Sequence, residues 1–326
     1  MKILIIKLGY SETLDPEVGQ VISLGDVVRC TVILESLKKK YGSSKITWLV
    51  ASEAFPLVVD NPYIDRILVW DTFVPFALMR EQFDIVVNLE KIHGVCALAD
   101  MIQAWEKVGF RFDVVSGEYG AYAQSVGATQ YIQDKADGKK SHNFWQKVLV
   151  EMVGCEWSGQ EYSLGYKPQP KESYAVGFNH YVGSKWPTKA MAKHKWEELG
   201  GRLEAKGISY SWQRGMNNLY EYMDWIAGCN VLITHDSLGV HLALAMKKSV
   251  VVLFGATSGE EIYYYGRGIS VYPKVALSAY ECMPCYNSEC KENQHCMDFI
   301  DLDDVVESVE RFLGKGKNVS SCYSNL

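Results

Sequence analysis

Apolar residues in this chain fall into short runs, KILIIKL (2–8), KITWLV (45–50), DRILVW (65–70) and FDIVVNLE (83–90), each rich in β-branched or aromatic side chains. Runs of that length and composition predict buried strands of a parallel sheet. Between the first two, GDVVRCTVILESLKKKYG spaces Val28, Val32 and Leu37 at near-helical intervals from Gly25 and closes in three lysines, which suit the negative end of a helix dipole. ALADMIQAWEKVG, between 97 and 109, reads as a further helix. Such alternation predicts a sheet covered by helices on both faces. Residues 115–143 lose the periodicity and are rich in Gly, Ser, Gln and Lys, so loops are expected there, followed by a helix near 144–154.

A second alternating block opens at YAVGFN (174–179) and continues with HKWEELGGRLEAKG (helix), ISYSWQ (strand), YEYMDWIAGC (helix), VLITHD (strand), SLGVHLALAMKK (helix) and SVVVLFG (strand). The last helix, DLDDVVESVERFL, puts Leu302, Val305, Val306, Val309 and Phe312 on one stripe. The polar segment 158–173, with two prolines, separates the blocks. The expected organisation is an N-terminal domain 1–160, a linker 161–173, a C-terminal domain 174–313 and a tail 314–326. Both domains are expected to be doubly wound α/β, with a ligand cleft between them.

Length and charge narrow the class. The 326 residues suit two domains, and 48% hydrophobic with 22% charged residues is ordinary for a globular chain. A net charge of -6 argues against a nucleic-acid partner, which needs a basic footprint. The apolar run between Lys2 and Lys7 is too short for a signal peptide, and no stretch approaches the ~20 apolar residues of a membrane span. A cytoplasmic protein is expected, with peripheral contact at the inner membrane left open.

Three segments carry candidate chemistry. In THDSLGVHLALAMKK a buried strand ends at Asp236, and Ser237, Leu238 and Gly239 open a helix at once. The uncapped amides of such an N-terminus suit a pyrophosphate; the missing side chain at Gly239 would let a ligand close on the backbone, and His241 stands on the first turn. The plainer alternative is an aspartate cap and a core histidine. In GFNHYVGSKWPTKA, Lys185 is either a point charge for phosphate or a solvated loop lysine. In SLGDVVR, Asp26 is either a helix-capping residue or a general base projecting toward a substrate. Cys30, Cys96, Cys155 and Cys229 read as small buried hydrophobes. Cys282, Cys285, Cys290 and Cys296, in the loop 281–297, could enclose a structural Zn or Fe, the alternatives being free thiols or a disulfide.

Taken in order, KILIIKLG, SLGDVVRCTVILESLKKKYG, NPYIDRILV, FDIVVNLE, VGFNHYVGSKWPTKA, DSLGVHLALAMKKSVVVLFG and ECMPCYNSEC resemble glycosyltransferase family 9, the bacterial ADP-heptose heptosyltransferases. The resemblance covers nearly the whole chain. It implies the GT-B fold, two Rossmann-like domains facing across a cleft, and a metal-independent, inverting transfer from an ADP-activated sugar to a saccharide or glycolipid acceptor in lipopolysaccharide or a related glycan. It implies Asp26 as the base, Lys185 on the donor phosphate, and Asp236, Ser237, Leu238, Gly239 and His241 around the donor, with adenosine near GMNNLYEYM. No catalytic cofactor is implied. The segment YSETLDPEVGQVI after the first strand is longer than is usual in the family and points to a different acceptor. Two alternatives are a transferase or epimerase using another nucleotide-sugar, and a non-catalytic nucleotide-sugar-binding or assembly subunit.

Overall fold

The computed structural model describes residues 1–10, 21–136, 143–215, 217–275 and 280–314. Most of the long segment after the first strand, Met216 within the expected adenosine segment, and the tail beyond Gly314 with Cys322 lie outside the described residues. The chain divides into two compact units, Met1–Lys167 with Glu260–Tyr263, and Pro168–Gly259 with Tyr264–Leu326.

The first unit is built on strands β1 (Lys2–Ile6), β2 (Lys45–Val50), β3 (Arg66–Val69), β4 (Gln82–Asn88), β5 (Gln103–Phe112) and β6 (Tyr119–Ala121). They lie in the order β3-β2-β1-β4-β5-β6, all parallel except β6, which runs antiparallel to β5. Its helices are α1 (Leu24–Cys30), α2 (Ile33–Tyr41), α3 (Val74–Leu78), α4 (His93–Met101), α5 (Val126–Ala136) and α6 (Trp145–Met152). Leu4, Ile6, Leu49, Phe83 and Val86 are buried in one cluster with Val95, Leu98 and Ala99 of α4, which is why these strands read as continuous apolar runs.

Three expectations fail here for identifiable reasons. The helix expected from Gly25 to the lysines is two helices, because Thr31 Oγ1 donates to the Val28 carbonyl at 2.6 Å and accepts from the Ser163 amide at 3.0 Å. A side chain bonded that way offers the backbone an alternative to continuing the helix. The helix expected over 97–109 stops at Met101, and QAWEKVG is β5, with Trp105 exposed on an alternating pattern. The span 115–143 contains β6 and α5; small residues hide the pattern, since a side chain at Gly127 would meet the Met152 backbone of α6 at 2.7 Å.

The second unit carries β7 (Tyr174–Asn179), β8 (Tyr210–Trp212), β9 (Cys229–His235), β10 (Ser249–Leu253) and β11 (Gly268–Val271), all parallel in the order β11-β10-β9-β7-β8. Around them run α7 (Lys193–Ala205), α8 (Leu219–Gly228), α9 (Leu238–Ala245) and α10 (Leu302–Phe312). The core joins Phe178, Ile233 and Val251 to Trp196 and Leu199 of α7 and to Leu302, Val305, Val306 and Val309 of α10. The four-residue β11 escaped sequence reading because it is short and only partly buried.

The two sheets share one feature that positions function. In each, strand order reverses beside the first strand: β1 lies between β2 and β4, and β7 between β8 and β9. The carboxyl edge at such a switch point is where doubly wound folds hold ligands, because the flanking connections leave in opposite directions. No described helix is long and apolar enough to cross a membrane.

Candidate functional site

In the first unit the switch point lies between β1 and β4, where Ile6 pairs with Asn88 in register. Lys7 and Glu90 follow these strand ends and form a buried ion pair, Nζ to Oε1, at 3.1 Å. Burial alone would lower the Lys7 pKa, but the Glu90 carboxylate outweighs it and holds the ammonium charged. Burial also raises the Glu90 carboxyl, against the pull of Lys7 and of the Gly9 amide. That amide donates to the same Oε1 at 2.7 Å. Gly9 itself stands at φ +104°, where a Cβ would also press on Ile22, so only glycine fits.

From Gly9 the backbone leads to Asp26. The Ser23 amide donates to the Gly9 carbonyl at 2.6 Å, and the Asp26 amide donates to the Ser23 carbonyl at 3.0 Å. Asp26 therefore sits in the first turn of α1, with Ser23 as the cap position. Its Oδ1 accepts from Arg29 Nη2 at 2.5 Å, and the Arg29 guanidinium lies 4.7 Å over the Trp145 ring. On the other side, Lys91 Nζ lies 5.2 Å from Trp145 and 4.0 Å from the Tyr131 ring, whose hydroxyl accepts a hydrogen bond from it at 2.8 Å. A shallow pocket here is lined by Lys7, Tyr10, Asp26, Arg29, Glu90 and Trp145, among others. Asp26 keeps about a third of its side chain exposed (32%). Burial pushes the Cys30 thiol beside it up to about 12, so it offers no nucleophile. A reachable carboxylate beside an aromatic ring and two cations can take a proton from a polar group brought against it.

In the second unit the switch point lies between β7 and β9, where Asn179 pairs with Thr234. Asn179 Nδ2 donates to Thr234 Oγ1 at 2.6 Å and to Ser237 Oγ at 3.1 Å, and its Oδ1 accepts from the Tyr222 hydroxyl at 2.8 Å. Ser237 occupies the cap position of α9 without a side-chain capping bond, so its hydroxyl serves this cross-strand network instead. Leu238 then begins the helix, and His241 is buried within it.

Asp236 is not the cap of α9. Its Oδ2 accepts from Lys189 Nζ at 2.7 Å and from Thr257 Oγ1 at 2.9 Å. Burial would raise this carboxyl, but the Lys189 charge and hydrogen bond prevail and hold it down to about 2. Lys189 belongs to the turn Pro187–Lys189 in the loop after β7, and Lys185 lies buried four residues before it in the same loop. The loop carrying Lys185 is thus tied directly to the start of the α9 segment. Beneath them His235 Nε2 accepts from the Met191 amide at 3.0 Å, which leaves the proton on Nδ1. Burial, with His180 and Lys189 adding to it, pushes His235 down to about 3, so the ring stays neutral.

Gly239 also has a packing reason of its own. A Cβ there would lie 2.3 Å from Asn179 Nδ2 and 2.7 Å from the Tyr222 hydroxyl. The glycine lets α9 close on the protein's own side chains, and approach of a ligand to the backbone is not needed to explain it.

The four clustered cysteines, Cys282, Cys285, Cys290 and Cys296, differ in burial. Among the described residues no group of three or more His, Cys, Asp or Glu could hold an ion. Cys296 is buried, Cys285 half-buried, and Cys282 and Cys290 exposed. Burial, then the neighbouring thiols Cys290, Cys285 and Cys282, push Cys296 up to about 11, and Cys282 is raised as well. The loop between them is braced by protein bonds, Thr188 Oγ1 to the Asn287 carbonyl at 2.5 Å and the Tyr280 hydroxyl to the Gln294 carbonyl at 2.9 Å. Of the four cysteines expected to be buried hydrophobes, Cys30, Cys96 and Cys229 are buried and Cys155 is only half-buried.

Sequence reasoning missed Lys7, Glu90, Asn179, Lys189 and Thr257. Each had a signal, as a polar residue within, or just past, an apolar strand run or in its following loop. Only their pairing with residues distant along the chain was invisible.

The description Glycosyltransferase family 9 (heptosyltransferase) fits residues 214–295 of this chain. Among curated proteins, none matches it. Among solved structures, a glycosyltransferase of family 9 from Veillonella parvula is similar over 97% of both chains, at 17% identity and a TM-score of 0.67. The ADP-heptose lipopolysaccharide heptosyltransferase II of E. coli is similar over 97% of this chain and 99% of that one, at 13% identity and a TM-score of 0.68. The iron-containing dodecameric glycosyltransferase TibC of enterotoxigenic E. coli H10407 is similar over 96% of this chain and 76% of that one, at 11% identity and a TM-score of 0.58. At these identities the likeness establishes the two-unit α/β fold of the GT-B type.

Proposed function

With a glycosyltransferase family 9 signature over residues 214–295 and that fold along the whole chain as premise, we propose that this hexosyl- or heptosyltransferase is an inverting enzyme that moves a heptose from ADP-heptose to a saccharide hydroxyl. The observation that carries this reading is the placement of chemistry at both switch points. A partly exposed carboxylate, Asp26, lies at one, and a cation-bearing loop meets a helix N-terminus at the other.

In the reaction, Asp26 accepts the proton of the acceptor hydroxyl as its oxygen attacks the anomeric carbon. The bond from that carbon to the diphosphate oxygen breaks, and ADP leaves with its electron pair. One displacement inverts the configuration. Lys185 and the amides at Ser237, Leu238 and Gly239 stabilise the charge growing on the diphosphate, while Asp236 holds Lys189 and the loop in place and His241 faces the donor sugar. Those cations and amides take the part a divalent ion plays in other nucleotide-sugar transferases, so the step runs without one. The acceptor is a saccharide or glycolipid, in lipopolysaccharide or a related glycan. The work is done in the cytoplasm, at the inner-membrane surface where a glycolipid acceptor would lie.

Titration of ADP-heptose, with ADP, UDP and UDP-glucose as controls and EDTA present, tests this. Binding confined to the adenosine nucleotides supports the reading. Preference for a uridine nucleotide overturns the donor assignment, and no binding revives a non-catalytic role. A structural Zn or Fe on Cys282, Cys285, Cys290 and Cys296 is a separate proposal, suggested by the spacing and by the iron named for TibC. It requires the loop to rearrange and the thiols to ionise. Metal analysis of the purified protein, read against a Cys285→Ser variant, decides it.

A further inference from the structure

The buried pair of Lys7 and Glu90 has no part in the transfer just described, yet it costs the fold several kcal/mol to desolvate two charges. It also leaves an atom unsatisfied: Glu90 Oε2 is buried without a hydrogen-bond partner. A pair kept on those terms, at the switch point and in the wall of the Asp26 pocket, points to a role beyond stability.

We propose that Glu90 is a positioning residue for Asp26: it cancels the charge of Lys7 beneath the pocket and, through Gly9 and Ser23, fixes where the Asp26 helix begins. The inference rests on Asp26 being the base. The backbone path is continuous, from Glu90 Oε1 to the Gly9 amide at 2.7 Å, from the Gly9 carbonyl to the Ser23 amide at 2.6 Å, and from the Ser23 carbonyl to the Asp26 amide at 3.0 Å. The electrostatic path is as direct. Lys7, Glu90 and Asp26 line one pocket, and Asp26 acts on both members of the pair.

The other charged or titratable groups around Asp26 come from every neighbouring segment. Arg29 and Cys30 share its helix, Tyr10 follows β1, and Lys91 follows β4. Glu53 lies in the turn Ser52–Leu57 packed on α1, Lys147 and Glu151 lie on α6, and Glu261 acts on Arg29. Glu90 is the carboxylate bonded to Lys7, so it is the group placed to offset that ammonium. Without the offset, an extra positive charge would favour the ionised form of Asp26 and make it a weaker base.

The test is transferase turnover against pH for Glu90→Gln, Lys7→Met/Glu90→Gln and Lys7→Met/Glu90→Leu, beside Asp26→Asn. Glu90→Gln keeps the acceptor for Gly9 but frees the Lys7 charge. Its kcat falls and the acidic limb of the profile moves down by roughly half to one pH unit, with donor KM unchanged. The charge-neutral Lys7→Met/Glu90→Gln restores the limb and most of kcat. Lys7→Met/Glu90→Leu, neutral but lacking the Gly9 acceptor, stays about tenfold down in kcat with donor KM unchanged, the usual scale of a slightly misplaced catalytic group. This last pair needs no stable Glu90→Gln protein. Full activity of both double variants, or equal loss in both with an unmoved limb, overturns the proposal. If Asp26→Asn itself keeps activity, the base assignment has failed instead, and the two failures are told apart.

Discussion

The two switch points solve opposite problems. In the second unit the two polar side chains at the strand ends are tied into networks: Asp236 with Lys189 and Thr257, and Asn179 with Thr234, Ser237 and Tyr222. In the first unit the buried pair leaves Glu90 Oε2 unsatisfied, and the pocket above it keeps a carboxylate partly open to solvent. A carboxylate held by two donors is fixed in place, which suits the proposed holding of a diphosphate. A carboxylate left partly open to solvent can take a proton from a group brought against it. On the proposed function, binding belongs to the second unit and proton transfer to the first.

The sharpest way to break it is Asp26→Asn. Turnover is expected to fall by roughly 10²–10⁴, the usual worth of a general base. Retained turnover would remove the first unit from the chemistry. Next in size, Lys185→Ala is expected to weaken donor affinity by about 10–100-fold, the range for a lost charge-assisted hydrogen bond, and to slow turnover with it. Calorimetry and steady-state kinetics on one preparation check both.

Gly239→Ala sharpens the structural side of the comparison. The added methyl has to push Asn179 or Tyr222 aside, and a loss of about 1–3 kcal/mol in unfolding free energy is expected. Thermal or urea unfolding measures it. An unchanged stability would mean the network around Asn179 is looser than its bonds imply.

A further effect is expected in pH. His235 is held near 3 in the folded protein against 6.5 unperturbed, so the unfolded chain binds its proton first. Stability is therefore full above about 6.5 and falls as pH drops toward 3, by about 1.4 kcal/mol per unit from this group. Asp236, held near 2 against 3.8, adds a second loss only as pH falls through that lower window. In His235→Gln the glutamine still accepts from the Met191 amide, and the slope between about pH 6 and 4 should flatten. An unchanged slope would place the acid sensitivity elsewhere.

Legibility followed the same division. The second-unit elements were readable because each strand, turn and helix there is local: β9, Asp236, Ser237 and α9 run consecutively, and the family signature at 214–295 falls largely within this unit. Asp26 and its helix start were readable for the same reason. What failed was non-local or masked by small residues. Thr31 splits a helix through a bond to Ser163, β5 hides behind α4, and α5 packs through Gly127. Lys7 and Glu90 each looked like the polar punctuation of a strand, and only the adjacency of β1 and β4 makes them a pair. Lys189 escaped notice for the same reason: its bond to Asp236 spans 47 residues.

The most direct test is calorimetric titration of ADP-heptose into Asp26→Asn and Lys185→Ala side by side. The account predicts wild-type affinity for the first and clearly weakened affinity for the second. Weakened binding in Asp26→Asn with unchanged binding in Lys185→Ala would contradict the division of labour between the two units.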